Sequence, residues 1–383
     1  MSETKRRGHG EGSISLRKDG RWSAIISLEN GKRKTLYGKT KKEVRDKLQA
    51  ALRQVEQQAF VGTSQQKLGD FLAHWLEDTH KYSLRQRTYE RYDQILRLHL
   101  IPGIGHHALH KLTPQHLQAF YKQKLEEGLS NSTVGTFHNV LHKALDTALR
   151  WGLVSRNVSE LVTPPRKEHY EIQPLSIEQV QQLLKALPGN PLEVLFLLAL
   201  GTGMRQGELL ALKWQDIDLV RGTLQVRRVL THVTVRLRKE GEPCFIETEP
   251  KTDSGRRCLA LPEIVLQALI THKEQQAQQI RDAGRYWQHH DYVFCTKLGK
   301  HLTPNYVVTT FKSLLKKAGL PDIRFHDLRH TAATTLLALG VNPKIVQEML
   351  GHTEISMTMD IYSHVLPTMQ KEAMHKMNTA LWG

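Results

Sequence analysis

The chain has 383 residues, 39% of them hydrophobic, and carries a formal net charge of +16. That length suggests two or three domains with real cores, and the lack of any apolar run of about eighteen residues excludes a membrane-spanning helix. The three cysteines, Cys244, Cys258 and Cys295, stand apart with no CxxC spacing, which argues against a disulfide framework or a zinc site and fits a reducing cytoplasm.

Residues 1–60 hold 15 Lys/Arg against 7 Asp/Glu, so half of the net charge lies in the first sixth of the chain. An excess of this size favours a polyanionic partner, because neutralising phosphates releases condensed counterions. Charge alone leaves open a basic surface with no specific partner. Met1 to Gly10 is polar and basic with no apolar stretch behind it, so no secretory signal is expected.

The first segment predicts a small sheet and a helix. Ser13 to Arg17 and Arg21 to Leu28 alternate around the turn Lys18-Asp19-Gly20, and Asn30-Gly31 leads to a third strand, Arg33 to Tyr37. Thr40-Lys41-Lys42-Glu43 is a capping box opening a helix to about Gln58. If Ile14, Leu16, Trp22 and Ile26 pack on that helix, then Arg17, Arg21, Arg33 and Tyr37 face outward. Such a face suits a DNA major groove, or is a solvated sheet surface.

Residues 63–162 predict an all-helical bundle. Leu68, Phe71, Leu72, Trp75 and Leu76 recur at helical spacing, as do Tyr92, Ile95, Leu96 and Leu98, and then Val134, Phe137, Val140, Leu141, Ala144 and Ala148. Thr113-Pro114 marks a helix start. Residues 163–175, with Pro164-Pro165, lack a clear period and suggest a linker. Ser176 to Gln179 is a second capping box and opens the last domain, 176–383, mainly helical with a strand-rich insert from Gly222 to Leu261. The fold class expected is therefore multi-domain α+β: a sheet-plus-helix domain over 1–62, the bundle, and a mainly α domain with a small β-sheet and a tail helix.

Four patches in the last domain carry side chains suited to chemistry. In Thr202-Gly203-Met204-Arg205-Gln206-Gly207-Glu208 a glycine turn precedes a leucine-rich helix, and Glu208 can hydrogen-bond the Arg205 guanidinium; alone, this is equally a structural ion pair. Pro250 to Arg257 predicts a β-hairpin with Lys251 near its tip, which alone would pass for a solvated turn lysine. His326 and Arg329, three apart, fall on one helix face and converge on one point. The His326/His330 spacing could suggest a metal, but Asp327 stands where a zincin needs Glu and no third ligand is evident. Last come Leu350-Gly351-His352-Thr353 and, ten residues after His352, Tyr362.

The order Arg205, Lys251, His326-x-x-Arg329, His352, Tyr362 resembles the active-site pattern of the tyrosine recombinase family, and TGMRQGELLALKW, HDLRHTAATTLLALG and MLGHTEISMTMDIYSH resemble integrase boxes. The resemblance covers the whole chain, with no departure at these six positions. It implies an arm-site-binding N-terminal domain, a helical core-site-binding domain and a catalytic domain that cuts and rejoins DNA to integrate or excise a mobile element. Double-stranded DNA attachment sites of core and arm type would be the partners, bound by a homotetramer that passes through a Holliday junction. A directionality factor and a host DNA-bending protein would be further partners. No metal, ATP or other cofactor is required, and the protein would act on the chromosome in the cytoplasm.

The chemistry explains the residue types. Arg205 and Arg329 would clamp the nonbridging phosphate oxygens, where charge grows in the transition state, and His352 would add a hydrogen bond. Tyr362 would attack phosphorus, leaving a 3′-phosphotyrosine. His326 is expected to accept the phenol proton and Lys251 to protonate the leaving 5′-oxygen, with Glu208 supporting Arg205. Met369, Ala373, Met377 and Leu381 form an apolar stripe that could dock on a neighbouring subunit or fold back on its own domain. Two rivals stand beside this reading. A type IB topoisomerase shares the chemistry, but the arm-like N-terminal domain argues against it. A non-enzymatic regulator would use the helix-turn-helix pattern of Thr331 to His352, but leaves Arg205, Lys251 and Tyr362 unexplained.

Overall fold

The computed structural model describes residues 13–17, 19–27, 33–60, 66–166, 173–233, 244–250, 253–356, 358–359, 374–375 and 377–382, with the backbone alone for 26–27, 33, 52–60 and 253. The chain divides into two compact units, Met1–His169 and Tyr170–Gly383.

The first unit begins with an antiparallel sheet in the order β1 (Ser13–Leu16), β2 (Trp22–Ser27), β3 (Arg33–Gly38), followed by α1 (Lys41–Phe60). The register pairs Ile14 with Ala24 and Ala24 with Leu36, so these residues share the face that packs on Val44, Leu48 and Ala51 of α1. Thr40 accepts from the Glu43 backbone N–H at 3.2 Å, and the Glu43 carboxylate accepts from the Lys39 N–H at 2.9 Å. The N-terminus of α1 is therefore satisfied as the capping pattern predicts. Leu16 departs from expectation. It lies on the helix-facing side but is 59% exposed, because it ends an edge strand beyond the cover of α1. Ile26, expected beside it, has its side chain outside the described residues.

The rest of this unit is helical: α2 (Leu68–His74), α3 (Gln86–Ile95), α4 (Ile101–Ile104), α5 (Pro114–Glu126) and α6 (Asn131–Arg150). Two stretches, Trp75–His80 and Leu96–Leu100, widen into π-helix. The second widening corrects one expectation. The i→i+5 geometry rotates the helix phase, so Leu100 takes the buried position and Leu98 turns to solvent at 44% exposure. The stripe of α6 holds, with Val134, Phe137, Val140, Leu141, Ala144 and Ala148 all buried. Thr113 caps α5 ahead of Pro114, accepting from the His116 N–H at 3.4 Å.

The second unit runs α7 (Ile177–Ala186), α8 (Glu193–Thr202), α9 (Gln206–Leu210), β4 (Ile217–Asp218), β5 (Thr223–Val226), β6 (Val229–His232), β7 (Phe245–Thr248), β8 (Arg257–Ala260), α10 (Glu263–Ala283), α11 (Pro304–Lys317), α12 (Asp327–Ala338) and α13 (Pro343–Leu350). Ser176 caps α7 with Gln179 completing the box. The main core joins Leu195, Phe196, Leu209, Leu224, Leu259, Phe311 and Leu328, and a smaller one, Ala333, Leu337, Val346 and Leu350, lies between α12 and α13.

The insert is two sheets rather than one. β5 lies between β4 and β8, while among the described residues β6 pairs only with β7. The expected hairpin across Pro250 to Arg257 is therefore not a hairpin: its flanking strands β7 and β8 belong to different sheets. Burial decides this, since Leu259 of β8 must meet Leu224 of β5 in the core. β7 is staked instead by Glu247, which accepts from Tyr292 Oη at 2.6 Å and from Lys213 Nζ at 2.8 Å.

Candidate active site

Two glycines shape the floor of the site. Gly203 ends α8 at φ 62° and Gly351 ends α13 at φ 67°, conformations that L side chains rarely adopt. Both positions are also crowded. A Cβ on Gly203 would lie 2.5 Å from Leu350 Cδ2, and one on Gly351 would lie 2.6 Å from the Ser254 carbonyl oxygen. The two turns thus bring Arg205, just before α9, next to the turn leading to His352. Arg205 Nη2 donates to the Gly351 carbonyl at 3.2 Å.

Glu208 fixes the arginine. Its Oε1 accepts from Arg205 Nη1 at 2.8 Å, and its Oε2 accepts from the Arg205 backbone N–H at 3.0 Å. Burial of Glu208, which is 2% exposed, would by itself raise its pKa. Hydrogen bonding and charge from Arg257, then the charge and backbone N–H of Arg205, overcome this and hold it below the ordinary carboxylate value. Glu208 is therefore an ionised acceptor.

Arg329 on α12 is 4% exposed. Its Nη1 donates to the Gly203 carbonyl at 2.8 Å, whereas Nη2 is buried with no hydrogen-bond partner among the described residues. Burial and the neighbouring Arg205 charge pull its pKa down to about 9. His352 is 7% exposed; burial, then Arg329 and Arg205, lower its pKa to about 4. Its Nδ1 lies 2.9 Å from Thr358 Oγ1, so Nε2 is the ring atom left for other work. His326 stands just before α12. Burial of part of its ring, then His330, Arg329 and Arg205, lower its pKa, although the residue as a whole remains exposed to water. The His326 and His330 rings meet edge-on at 5.3 Å.

The structure thus brings together Arg205, Glu208, His326, Arg329 and His352. Lys251 and Tyr362 lie outside the described residues. Among those described, no group of three or more His, Cys, Asp or Glu is arranged to hold a metal. Two residues escape the sequence patterns: Thr358, which is fully buried behind His352, and Arg257, whose Nη2 donates to Glu208 Oε2 at 2.9 Å. Strand alternation carries a signal for Arg257, which shares its face with the buried Leu259.

In the first unit, Arg17 and Tyr37 occupy the sheet face opposite α1. The Arg17 guanidinium lies 5.2 Å from the Tyr37 ring centroid. Arg17 and Arg21 share Asp19, at 3.6 and 2.9 Å. The backbone register places Arg33 on the same face through the pair Ser27–Arg33, its side chain lying outside the described residues.

Residues 173–369 match the phage integrase family, and residues 67–125 match the phage integrase N-terminal SAM-like domain. A tyrosine recombinase XerC-like protein of Caldanaerobacter subterraneus subsp. tengcongensis is 34% identical over 367 residues, covering 91% of this chain and 93% of that one. The ICEBs1 integrase of Bacillus subtilis is 28% identical, covering 76% and 78%. Among solved structures, the Tn1549 transposon integrase in complex with transposon right end DNA superposes with a TM-score of 0.67 at 21% identity, covering 80% of this chain and 99% of that one. The lambda integrase tetramer bound to a Holliday junction gives 0.55 at 18% identity, covering 93% and 96%. The chain belongs to the phage integrase family of tyrosine recombinases. It is a site-specific recombinase that cleaves and rejoins DNA, and neither a topoisomerase nor a non-enzymatic regulator is favoured beside that membership. No helix among the described residues is long and apolar enough to cross a membrane.

Proposed function

We propose that this protein integrates or excises a mobile element, cutting each strand through a 3′-phosphotyrosine on Tyr362. The observation that carries the reading is the convergence of two arginines and two imidazoles, with one guanidinium nitrogen, Arg329 Nη2, buried and unpartnered among the described residues. Burying an unsatisfied charged donor is costly, and a phosphate oxygen is its natural acceptor. Arg205 and Arg329 clamp the nonbridging oxygens of the scissile phosphate. His352, neutral and with Nδ1 facing Thr358, donates through Nε2 to the same group. His326, also biased towards its neutral form, accepts the phenol proton of Tyr362. Lys251 protonates the 5′-oxygen as it leaves, and Glu208 holds the plane of Arg205.

Each transesterification exchanges one phosphodiester for another, so religation needs neither ATP nor a metal. Exchanging strands between two duplexes requires four such sites, hence a homotetramer on DNA. Residues 63–162 grip core-type sites and residues 1–62 arm-type sites, with 163–175 linking them to the catalytic domain, 176–383. A directionality factor and a host DNA-bending protein complete the assembly, which works on the chromosome in the cytoplasm.

The test is Tyr362→Phe on a nicked attachment-site duplex, followed on denaturing gels. The substitution removes one oxygen and keeps the ring, so DNA binding persists and the covalent protein–DNA species disappears. An undiminished adduct would place the nucleophile elsewhere and overturn the site.

A further inference from the structure

Arg257, at the start of β8, makes more contacts with the site than any role assigned so far requires. Its side chain is 6% exposed. Nη2 and Nη1 approach the two oxygens of Glu208 at 2.9 and 3.3 Å, Nε donates to the Met349 carbonyl at 2.6 Å, and Nη1 also donates to the Gly255 carbonyl at 3.2 Å. Glu208 is the carboxylate that holds Arg205, Met349 lies three residues before His352, and Gly255 closes the turn entering β8. A Cβ on Gly351 would stand 3.1 Å from Arg257 Nη1, so the left-handed glycine lets the His352 turn rest directly on this guanidinium. One planar fork therefore ties two separate chain segments, the turn entering β8 and the end of α13, to one buried carboxylate.

We propose that Arg257 is a positioning residue for DNA cleavage: it orients the Arg205 guanidinium through their shared Glu208 and locks the turn bearing His352 to the same carboxylate. The inference rests on the reading of Arg205 as a phosphate clamp. Arg205 alone gives each Glu208 oxygen one bond, from Nη1 and from its backbone N–H; Arg257 adds a second to each, and so fixes the carboxylate and with it the clamp. Lysine does not replace this fork, because a point charge cannot serve both carboxylate oxygens and two carbonyls at once.

The experiment measures single-turnover adduct formation by the full-length protein on two nicked duplexes. One has an ordinary scissile phosphate, the other a methylphosphonate, whose neutral centre asks less of a charge clamp. Arg205→Ala calibrates the readout: its deficit shrinks on the methylphosphonate. Arg257→Met should be slowed about tenfold to a hundredfold on the phosphate and should recover on the methylphosphonate in the same sense. Adding Arg257→Met to Arg205→Ala should cost clearly less than Arg257→Met costs alone, the remainder being the loosened turn that bears His352. Arg257→Lys, which keeps a cation against Glu208, should show a smaller deficit with the same recovery, and it carries the test if Arg257→Met does not fold. Equal slowing of the Arg257 variants on both duplexes, or no slowing, overturns the proposal. If Arg205→Ala itself shows no recovery, the clamp reading fails, and that outcome is distinct from a failure of Arg257 alone.

Discussion

Arg329 and Gly203 are joined by a 2.8 Å hydrogen bond that uses one arm of a nearly buried guanidinium and leaves the other, Nη2, without a partner among the described residues. The bond crosses from α12 to the left-handed turn two residues ahead of Arg205, so one contact sets the spacing of the two arginines. Two cations are held together here at a real cost. Burial, then the Arg205 charge, lower the Arg329 pKa to about 9, with the Glu208 carboxylate offsetting only part of this, and a phosphate arriving between the two cations adds the rest of the compensation.

Arg329→Ala and Arg329→Lys should therefore fold about as stably as the parent, since the substitution removes a buried charge that Glu208 compensates only in part, or replaces it with one that deprotonates more readily. DNA binding should persist. Adduct formation should fall about a hundredfold or more, the usual effect of removing a donor aimed at developing charge. The checks are thermal melting and single-turnover cleavage, and a variant that melts lower yet cleaves normally contradicts this account.

The buried imidazole of His352 makes a pH statement. Its pKa is about 4 when folded, against about 6.5 when unfolded. The unfolded chain binds more protons between these values, so stability is fully present above pH 6.5 and declines as pH falls towards 4. The loss amounts to no more than about 3 kcal/mol from this one group. Denaturant midpoints measured at pH 7 and pH 5 should converge for His352→Gln more than for the parent. A parent midpoint indifferent to pH across that window contradicts the burial.

Thr358 closes the ring's other side. Thr358→Val keeps shape and removes the hydroxyl facing Nδ1 at 2.9 Å. The imidazole then loses the partner that selects its tautomer, and adduct formation should slow about tenfold or more. Thr358→Ser, which restores the oxygen, should recover most of the rate.

Much of this site is legible in the sequence because helical spacing does the positioning. His326-x-x-Arg329 and Arg205-x-x-Glu208 each meet across one helical turn, and capping residues such as Ser176 and Thr113 are local signals answered locally. What is not legible depends on the partner element. Leu98 follows the helical period, but a π-widened turn rotates it out. Leu16 has the right parity, but among the described residues nothing covers the end of its strand. The Pro250 to Arg257 stretch has the turn residues of a hairpin, yet β8 pairs with β5 because Leu259 needs the core. Arg257 stays hidden for the same reason: its partners are 49 and 92 residues away.

On the N-terminal sheet, Asp19 partly neutralises Arg17 and Arg21, the pair expected to meet phosphates. Its own pKa is lowered, first by the Arg21 backbone N–H and then by the Arg21 side chain. Asp19→Asn should release both guanidinium groups and tighten binding to arm-type DNA. Arg17→Ala with Arg21→Ala should weaken it and reduce the slope of log affinity against log salt by about one per lost phosphate contact. Titrations of the full-length protein at several salt concentrations measure both. Unchanged slopes would leave this face a solvated surface.

The tail presents apolar side chains to solvent. Met374, Met377, Leu381 and Trp382 are 60%, 46%, 61% and 72% exposed, and residues 377–382 are helical. Met369 and Ala373, the first half of the expected stripe, lie outside the described residues. A helical apolar face of this kind costs solvation free energy unless something covers it, and in the proposed tetramer the neighbouring subunit is at hand. Removing Met369 to Gly383 should then leave cleavage of a single nicked site nearly intact, because Arg205, His326, Arg329 and His352 all precede the cut. Strand exchange between two duplexes should drop much further, as should the yield of the four-protomer complex on crosslinking. The measurement pairs adduct formation with recombinant product from the same preparation. Equal loss of both activities would mean that the tail packs within its own subunit and supports Tyr362 from there.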